Sequence, residues 1–488
     1  MIKPDFNELE KLSQNYKCIP VSTEIFSDIT TPIQVLRILK EQDEHCFLLE
    51  SVEKAEKLGR YSFLGFQPSM EITCLNDILK IKTGDETREI TTKTPQEYIK
   101  QIIEDHKSPS FDYLPTFTGG LAGYFAYDFI KYFEPKLNLD ANDDEKFNDV
   151  DLMLFDKIIA FDNVRNKIII IVNVKTDNLK LNYEKAVNEI EWIKDLIQHG
   201  KPYEIKKGKL KSEFRPLFKK AQFCEMVEKA KHYIKEGDIF QVVLSNRFDA
   251  DYEGDLLNTY RTLRTINPSP YMFYFGSNNL EIAGASPETL VKLENGKLYT
   301  FPLAGTRKRG KDFKEDQELE KDLLSDKKEL AEHNMLVDLG RNDIGKISEF
   351  GSVEVEKYMS IERFSHVMHI GSTVTGKISS DKGQLDAIGS ILPAGTLSGA
   401  PKIRACEIIN ELERNKRGIY GGAIGYLDFT GNLDTCIAIR IAYKKNNKVF
   451  VRVGAGIVYD SIPENEYTEC ENKSKAVMNA LKISEEIL

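Results

Sequence analysis

Two hairpin-forming stretches constrain this chain more than any other feature of it. KIIAFDNVRNKIIIIVNV (157–174) reads as a hairpin with Asn163 to Asn166 holding the turn, and DTCIAIRIAYKKNNKVFVRVGAGIVYD (434–460) reads as another near the C-terminus. Hairpins pair antiparallel, so they call for an antiparallel sheet. Around them strands and helices alternate and no internal repeat is evident. TPIQVLRILKEQ (31–42) offers Thr31 as N-cap and Pro32 as first helical residue, and HCFLLESV (45–52) follows as a strand. NYEKAVNEIEWIKDLIQHG (182–200) reads as a helix closed by Gly200, and another is expected at about 219–236. The lysine-rich KPYEIKKGKLKSEFRP (201–216) between them is weakly patterned and reads as a solvated linker. We therefore expect an N-terminal domain over 1–200, a linker over 201–218 and a second domain over 219–488.

Charge narrows the partners. The chain has 67 basic against 77 acidic side chains, a formal charge of −10, which repels nucleic acid on average. Its seven cysteines are dispersed and never form C-x-x-C, as in a reduced protein with neither disulfide framework nor zinc knuckle. The start, MIKPDFNELEKLSQ, lacks the layout of a signal peptide, and no run reaches the roughly 18 apolar residues of a membrane span. A cytoplasmic protein that binds neither nucleic acid nor membrane is expected.

Several segments carry candidate chemistry. FPLAGTRKRG (301–310) sets Gly305 and Thr306 before Arg307, Lys308, Arg309 and, just beyond, Lys311, a group of cations that calls for an anion. It is not a phosphate-binding G-x-x-x-x-G-K-[ST] loop, and no aromatic interleaves it to stack bases. In the second hairpin Ile437, Ile439 and Ile441 share one strand face; Arg440 lies on the other, flanked by Cys436, Ala438 and Ala442, with room for a ligand. Gly454, Ala455 and Gly456 on the next strand let a ligand approach the backbone. SDKKELAEHNMLVDLGRND (325–343) reads as a helix capped by Asp326 and closed by Gly340, with Glu332 in its middle. PENEYTECENKSKAVMNAL (463–481) is a helix with Glu466, Glu469 and Lys473 on one stripe. Alone, each acid reads as a solvated face; two from separate helices can instead converge on Mg²⁺, which needs only one or two protein carboxylates. PAGTLSGAPK (393–402), which contains Thr396, is a small-residue loop before a helix, a simple turn or an anion site. His366 and His369 in FSHVMHI, and Glu288 in GASPET, are weaker signals for acid–base work. No cysteine stands in a nucleophile elbow, so no amidase is built into the chain.

In order along the chain, PLAGTRKRG, EHNMLVDLGRND, FSHVMHIGS, GTLSGAPK, RGIYGGAIGY, DTCIAIR and GAGIVYDSIPENEYTECENKS together resemble the chorismate-utilising enzymes, most closely the anthranilate synthase large subunits. The likeness is strong over roughly 220–485 and extends weakly through LLES (48–51) and GRYSFLG (59–65). Related aminodeoxychorismate synthases carry a lysine where this chain has Ala304, and enzymes that add water to chorismate carry a lysine base where it has Gln241. Both departures point to ammonia attack without a lysine. A non-catalytic module that binds aromatic acids is the reading from another class.

The resemblance implies an α+β fold, a large two-layer antiparallel β-sandwich flanked by helices, with the N-terminal part interleaved into it. It implies a lyase converting chorismate and ammonia to anthranilate and pyruvate, at the entry to tryptophan biosynthesis. It further implies Mg²⁺ near Glu332 and Glu469, and substrate contacts from Gly305, Thr306, Tyr420, Arg440, Gly454, Ala455, Gly456 and Lys473. Glu288 would be the general acid, with Thr396 at the ring end and His369 assisting pyruvate loss. A separate glutamine amidotransferase subunit (component II) would supply ammonia. Glu50, Ser51, Pro270, Tyr271 and Met272 would line a tryptophan feedback pocket between the two halves.

Overall fold

The structure is a computed structural model that describes residues 2–51, 59–363 and 367–487; Val52 and His366 lie outside them. Two antiparallel sheets, of 13 and 12 strands, stack face to face. The first hairpin forms as its sequence demands, Lys157–Asp162 pairing with Lys167–Lys175 around the turn at 163–166. Each sheet draws on both halves of the chain: Cys46–Glu50 pairs with Tyr271–Gly276 in the larger sheet, and Gly120–Phe125 with Ala423–Asp428 in the smaller. The segment read as a solvated linker is in part a sheet edge, since Lys209–Leu210 and Arg215–Pro216 pair with the strand Gln241–Glu253.

An aromatic layer fills the space between the sheets. Phe47 of one sheet meets Phe155 of the other with ring centroids 4.8 Å apart. Each ring is fully buried, and such burial contributes roughly 1.5–3 kcal/mol per side chain. Helices Pro32–Gln42, Leu179–His199 and Leu257–Ile266 cover the outer face of the larger sheet. Pro95–Asp105, Lys327–Gly345 and Gln384–Ile391 cover that of the smaller. The expected caps hold: Thr31 accepts from the Gln34 amide, and Asp326 from those of Lys328 and Glu329. Gly340 does not close its helix, which runs on to Gly345. Ile344, fully buried in the core of that layer, anchors the last turn and outweighs the weak helix propensity of one glycine.

Among the described residues the chain passes four times from one sheet to the other within a few residues: at 67–69, at Asp156, at 287–288 and at 438–440. The last of these corrects the sequence reading. Residues 434–442 are not one strand. Leu433–Ile437 belongs to the smaller sheet, Ile441–Lys445 to the larger, and Arg440 takes up a φ of 55° between them. Alternation of side chains therefore breaks at Ala438, whose amide is tied to the Gly422 carbonyl while Gly421 donates to its own.

Candidate active site

The two C-terminal crossings lie side by side. The Ile437 amide donates to the Glu288 carbonyl at 2.9 Å, the Ser286 hydroxyl to the Ile437 carbonyl at 2.7 Å, and the Ala285 amide to the Arg440 carbonyl at 3.2 Å. Glu288 and Arg440 are thus carried to one place, where the strands leave their sheets and a cavity of about 530 Å³ opens. That volume suits a small metabolite.

Glu288 receives a hydrogen bond from the Thr396 hydroxyl at 3.0 Å. Burial pushes its carboxyl up to about 7, with Thr396 and the charge of Lys473 opposing. It is poised to give a proton at neutral pH. Arg440 is half-buried and lines the same cavity. Burial weighs against its charge, Tyr420 partly offsets this, and among the described residues no carboxylate pairs with its guanidinium. A desolvated guanidinium without a counter-charge is a site for an anion.

The wall opposite is built from 303–306 and the strand Val367–Lys377. Gly305 has a φ of +65°, and its carbonyl takes the proton of His369 Nδ1 at 2.7 Å, leaving Nε2 as the basic nitrogen. Thr306 Oγ1 lies 3.2 Å from the same Nδ1. Burial, with the charge of Arg440, keeps His369 below the ordinary imidazole range. Glycine is required at 454, because a Cβ there would lie 2.8 Å from the Tyr420 hydroxyl and 2.9 Å from the Leu244 carbonyl. Gly454 and Gly456 line the cavity; Ala455 points away into the helix-covered core, so any contact it makes with a ligand is through its backbone. Lys473 reaches the Gly454 carbonyl at 3.0 Å and Glu469 at 2.6 Å.

Glu332 faces the cavity and its carboxyl is pushed up by burial and by the charges of Glu329 and Glu469. Glu466, one turn before Glu469, is pushed up by burial and by Glu469. Four carboxylates from two helices thus feel one another. Spacing alone marked Glu466 and Glu469; Glu329 stands one turn before Glu332 and the same spacing rule would have found it. Among the described residues no three His, Cys, Asp or Glu side chains gather closely enough to hold a metal by themselves.

The basic run does not wait for a ligand. Arg307 pairs with Asp322, Asp326 and Glu329, and Arg309 with Asp316, so acids of the two following helices neutralise it. The five residues expected around a feedback pocket divide. Glu50 and Met272 are cross-strand partners on the helix-covered face, where Tyr260 and Arg264 hold the Glu50 carboxylate. The Ser51 hydroxyl beside it is buried and has no partner among the described residues. Tyr271 points to the opposite face, its hydroxyl 2.8 Å from Asp434 and 2.9 Å from Thr289; neighbours on a strand face opposite ways. Pro270 lines the catalytic cavity.

Comparison with known proteins agrees with this geometry. The family of chorismate binding enzymes matches residues 44–479. A relative from Acetivibrio thermocellus, anthranilate synthase component 1, is 46% identical with both chains wholly covered. Its counterpart from Aquifex aeolicus is 46% identical over 98% of each chain. Among solved structures, anthranilate synthase component I from Streptococcus pneumoniae superposes with a TM-score of 0.77 at 39% identity, over 93% of this chain and 98% of that one.

Proposed function

Since the chain belongs to the chorismate binding enzymes, we propose that it is the aminating component of an anthranilate synthase, acting on chorismate in the cytoplasm with ammonia from a separate glutamine-hydrolysing component. One observation carries this reading: a single cavity is lined by a carboxylic acid poised near neutrality, a guanidinium that no carboxylate of the described residues pairs with, and the Glu332 carboxylate, which feels the charge of Glu469. Chorismate is a dianion, and these groups answer both of its ends. Ala304 and Gln241 are neutral where a lysine would serve aminodeoxychorismate formation or activate water, which favours ammonia as nucleophile.

Arg440, with Tyr420 and the Gly454 to Gly456 backbone, takes the enolpyruvyl carboxylate, and Lys473 supplies a second cation beside it. Gly305, Thr306 and Thr396 meet the ring end. The residues present fit magnesium: the donors are hard oxygens, and Glu332 is a carboxylate on the cavity wall destabilised by the like charges of Glu329 and Glu469. Glu332 and Glu469 would hold it, and the ion would neutralise the ring carboxylate. As ammonia bonds to ring carbon 2, Glu288 protonates the hydroxyl leaving carbon 4. The new ammonium nitrogen gives up its extra proton to the Glu288 carboxylate. His369 Nε2 then removes the proton from carbon 2, the bond between ring carbon 3 and the enolpyruvyl oxygen breaks as the ring becomes aromatic, and a proton added to the methylene carbon of the departing enolate gives pyruvate beside the aromatic amine. With chorismate bound, the walls of the cavity hold the reacting atoms in place and leave little room for water.

For feedback by tryptophan, the supporting observation is the unpartnered Ser51 hydroxyl beside a carboxylate fixed by Arg264, with Pro270 linking this face to the catalytic cavity. The experiment that tests the main reading gives the purified chain chorismate, magnesium and either ammonium or glutamine. Ammonium should yield fluorescent anthranilate and glutamine none until the partner is added. Activity of the lone chain with glutamine, or none with ammonium, would overturn it.

A further inference from the structure

Beneath the cavity lies a charge cluster that none of these steps uses. Glu413 ends the helix Lys402–Glu413, and its carboxylate is fully buried between the guanidinium groups of Arg417 and Arg452, at 2.6 and 2.8 Å. The Ser245 amide and hydroxyl also donate to it, at 2.7 and 3.0 Å, and Arg452 Nε donates to the Ser245 hydroxyl at 2.8 Å. Two guanidiniums against one carboxylate leave a net positive charge out of water, an arrangement that apolar residues of similar volume would often match in stability.

The cluster's outward contacts give it a direction. Arg417 donates to the carbonyls of Leu397 and Val243, each at 2.6 Å, and both residues line the cavity. Leu397 follows Thr396, whose hydroxyl binds Glu288. Arg452 sits two residues before Gly454 on the same strand, and Ser245 is the register partner of Gly454. Three elements that shape the site are therefore tied to one buried cluster: the strands Gln241–Glu253 and Lys448–Ile457 through Ser245 and Arg452 on the Glu413 carboxylate, and the turn at 395–397 through Arg417.

We propose that Glu413, Arg417 and Arg452 form a positioning device for the amination, in which Arg417 fixes the Leu397 carbonyl and so holds the Thr396 hydroxyl against Glu288, while Arg452 sets the strand that carries Gly454 under Tyr420. The inference rests on the function proposed above. A cluster that only stabilised the fold would have no need to grip the backbone beside the proton donor.

The Thr396 hydrogen bond opposes the rise in the Glu288 pKa, so loosening it must send that pKa higher. The charged and titratable groups that share the cavity with Glu288, namely Lys473, Arg440, His369 and Glu332, are left in place by the test. Arg417→Lys keeps the charge and removes the two-pronged grip. It should lower kcat by about 10- to 100-fold, the cost of a small misplacement, with KM for chorismate changed by less than about threefold. The alkaline limb of kcat/KM should move to higher pH, as it should in Thr396→Val, and the double variant should lose little more than either alone. Ser245→Ala, which removes one hydroxyl from the cluster, should move the limb the same way by less, and it carries the test if Arg417→Lys is not recovered folded. An unmoved limb in the folded variants, or losses that multiply in the double variant, would overturn the proposal. Absence of any amine from wild-type protein would instead overturn the function proposed above.

Discussion

Glu288→Gln should inactivate the protein and stabilise it at the same time. The carboxyl is raised from its ordinary 4.5 to about 7, chiefly by burial. Below 4.5 both folded and unfolded chains hold the proton, and the group has no effect on stability. Between 4.5 and 7 the unfolded chain ionises first, so stability falls as pH rises, the reverse of the usual salt-bridged carboxylate. Above 7 the loss is complete and amounts to roughly 3 kcal/mol from that pKa difference. Since Glu288 faces a cavity that water enters, about 1–3 kcal/mol is the fair range. Glutamine keeps the shape and the neutral state, so denaturant unfolding at pH 8 should show the variant more stable by that amount, with the gap closing towards pH 5. Turnover of chorismate should fall by about 10²–10⁴, the value of a general acid. In wild type, kcat/KM should decline as pH rises through about 7. Equal stability at both pH values together with activity close to wild type would refute the reasoning.

Glu469→Ala should reduce magnesium-dependent turnover by about a hundredfold and weaken magnesium binding in calorimetry while the circular dichroism spectrum stays unchanged; near-wild-type turnover would remove the metal assignment. Ser51→Phe should place a bulky ring where the buried hydroxyl stands and abolish inhibition by tryptophan without lowering uninhibited activity, and undiminished inhibition would count against that pocket. Gly454→Ala drives a methyl into the Tyr420 hydroxyl and the Leu244 carbonyl; overpacking of this kind costs about 1–3 kcal/mol, read as a raised KM for chorismate and a lowered Tm, whereas wild-type values for both would show that the strand has slack.

Features of the fold that are local were legible in the sequence. The hairpin at 157–175 and the caps at Thr31 and Asp326 are set by residues within a few positions of one another, and they form as read. What depends on distant partners was not. Arg440 scans as a strand residue because its neighbours alternate, yet the chain leaves one sheet for the other there, and only the strands paired on each side decide that. Arg307 reads as an anion site until the helices carrying Asp322 and Asp326 fold back on it. Tyr271 and Met272 look like one patch in sequence and face opposite ways in the sheet. The link from Thr396 to Glu288 spans 108 positions, and no periodicity could have revealed it. The motifs carried by the resemblance did lead to the cavity, because Glu288, Thr306, His369, Tyr420, Arg440 and Lys473 all line it.

The most direct test of the central claim is the position of nitrogen in the product. Purified chain, chorismate, magnesium and ¹⁵N-labelled ammonium should give pyruvate and an aromatic amine whose label sits ortho to the ring carboxylate, and Arg440→Ala should abolish it. A para-amine, an unlabelled hydroxylated product, or full activity without the guanidinium would contradict the account.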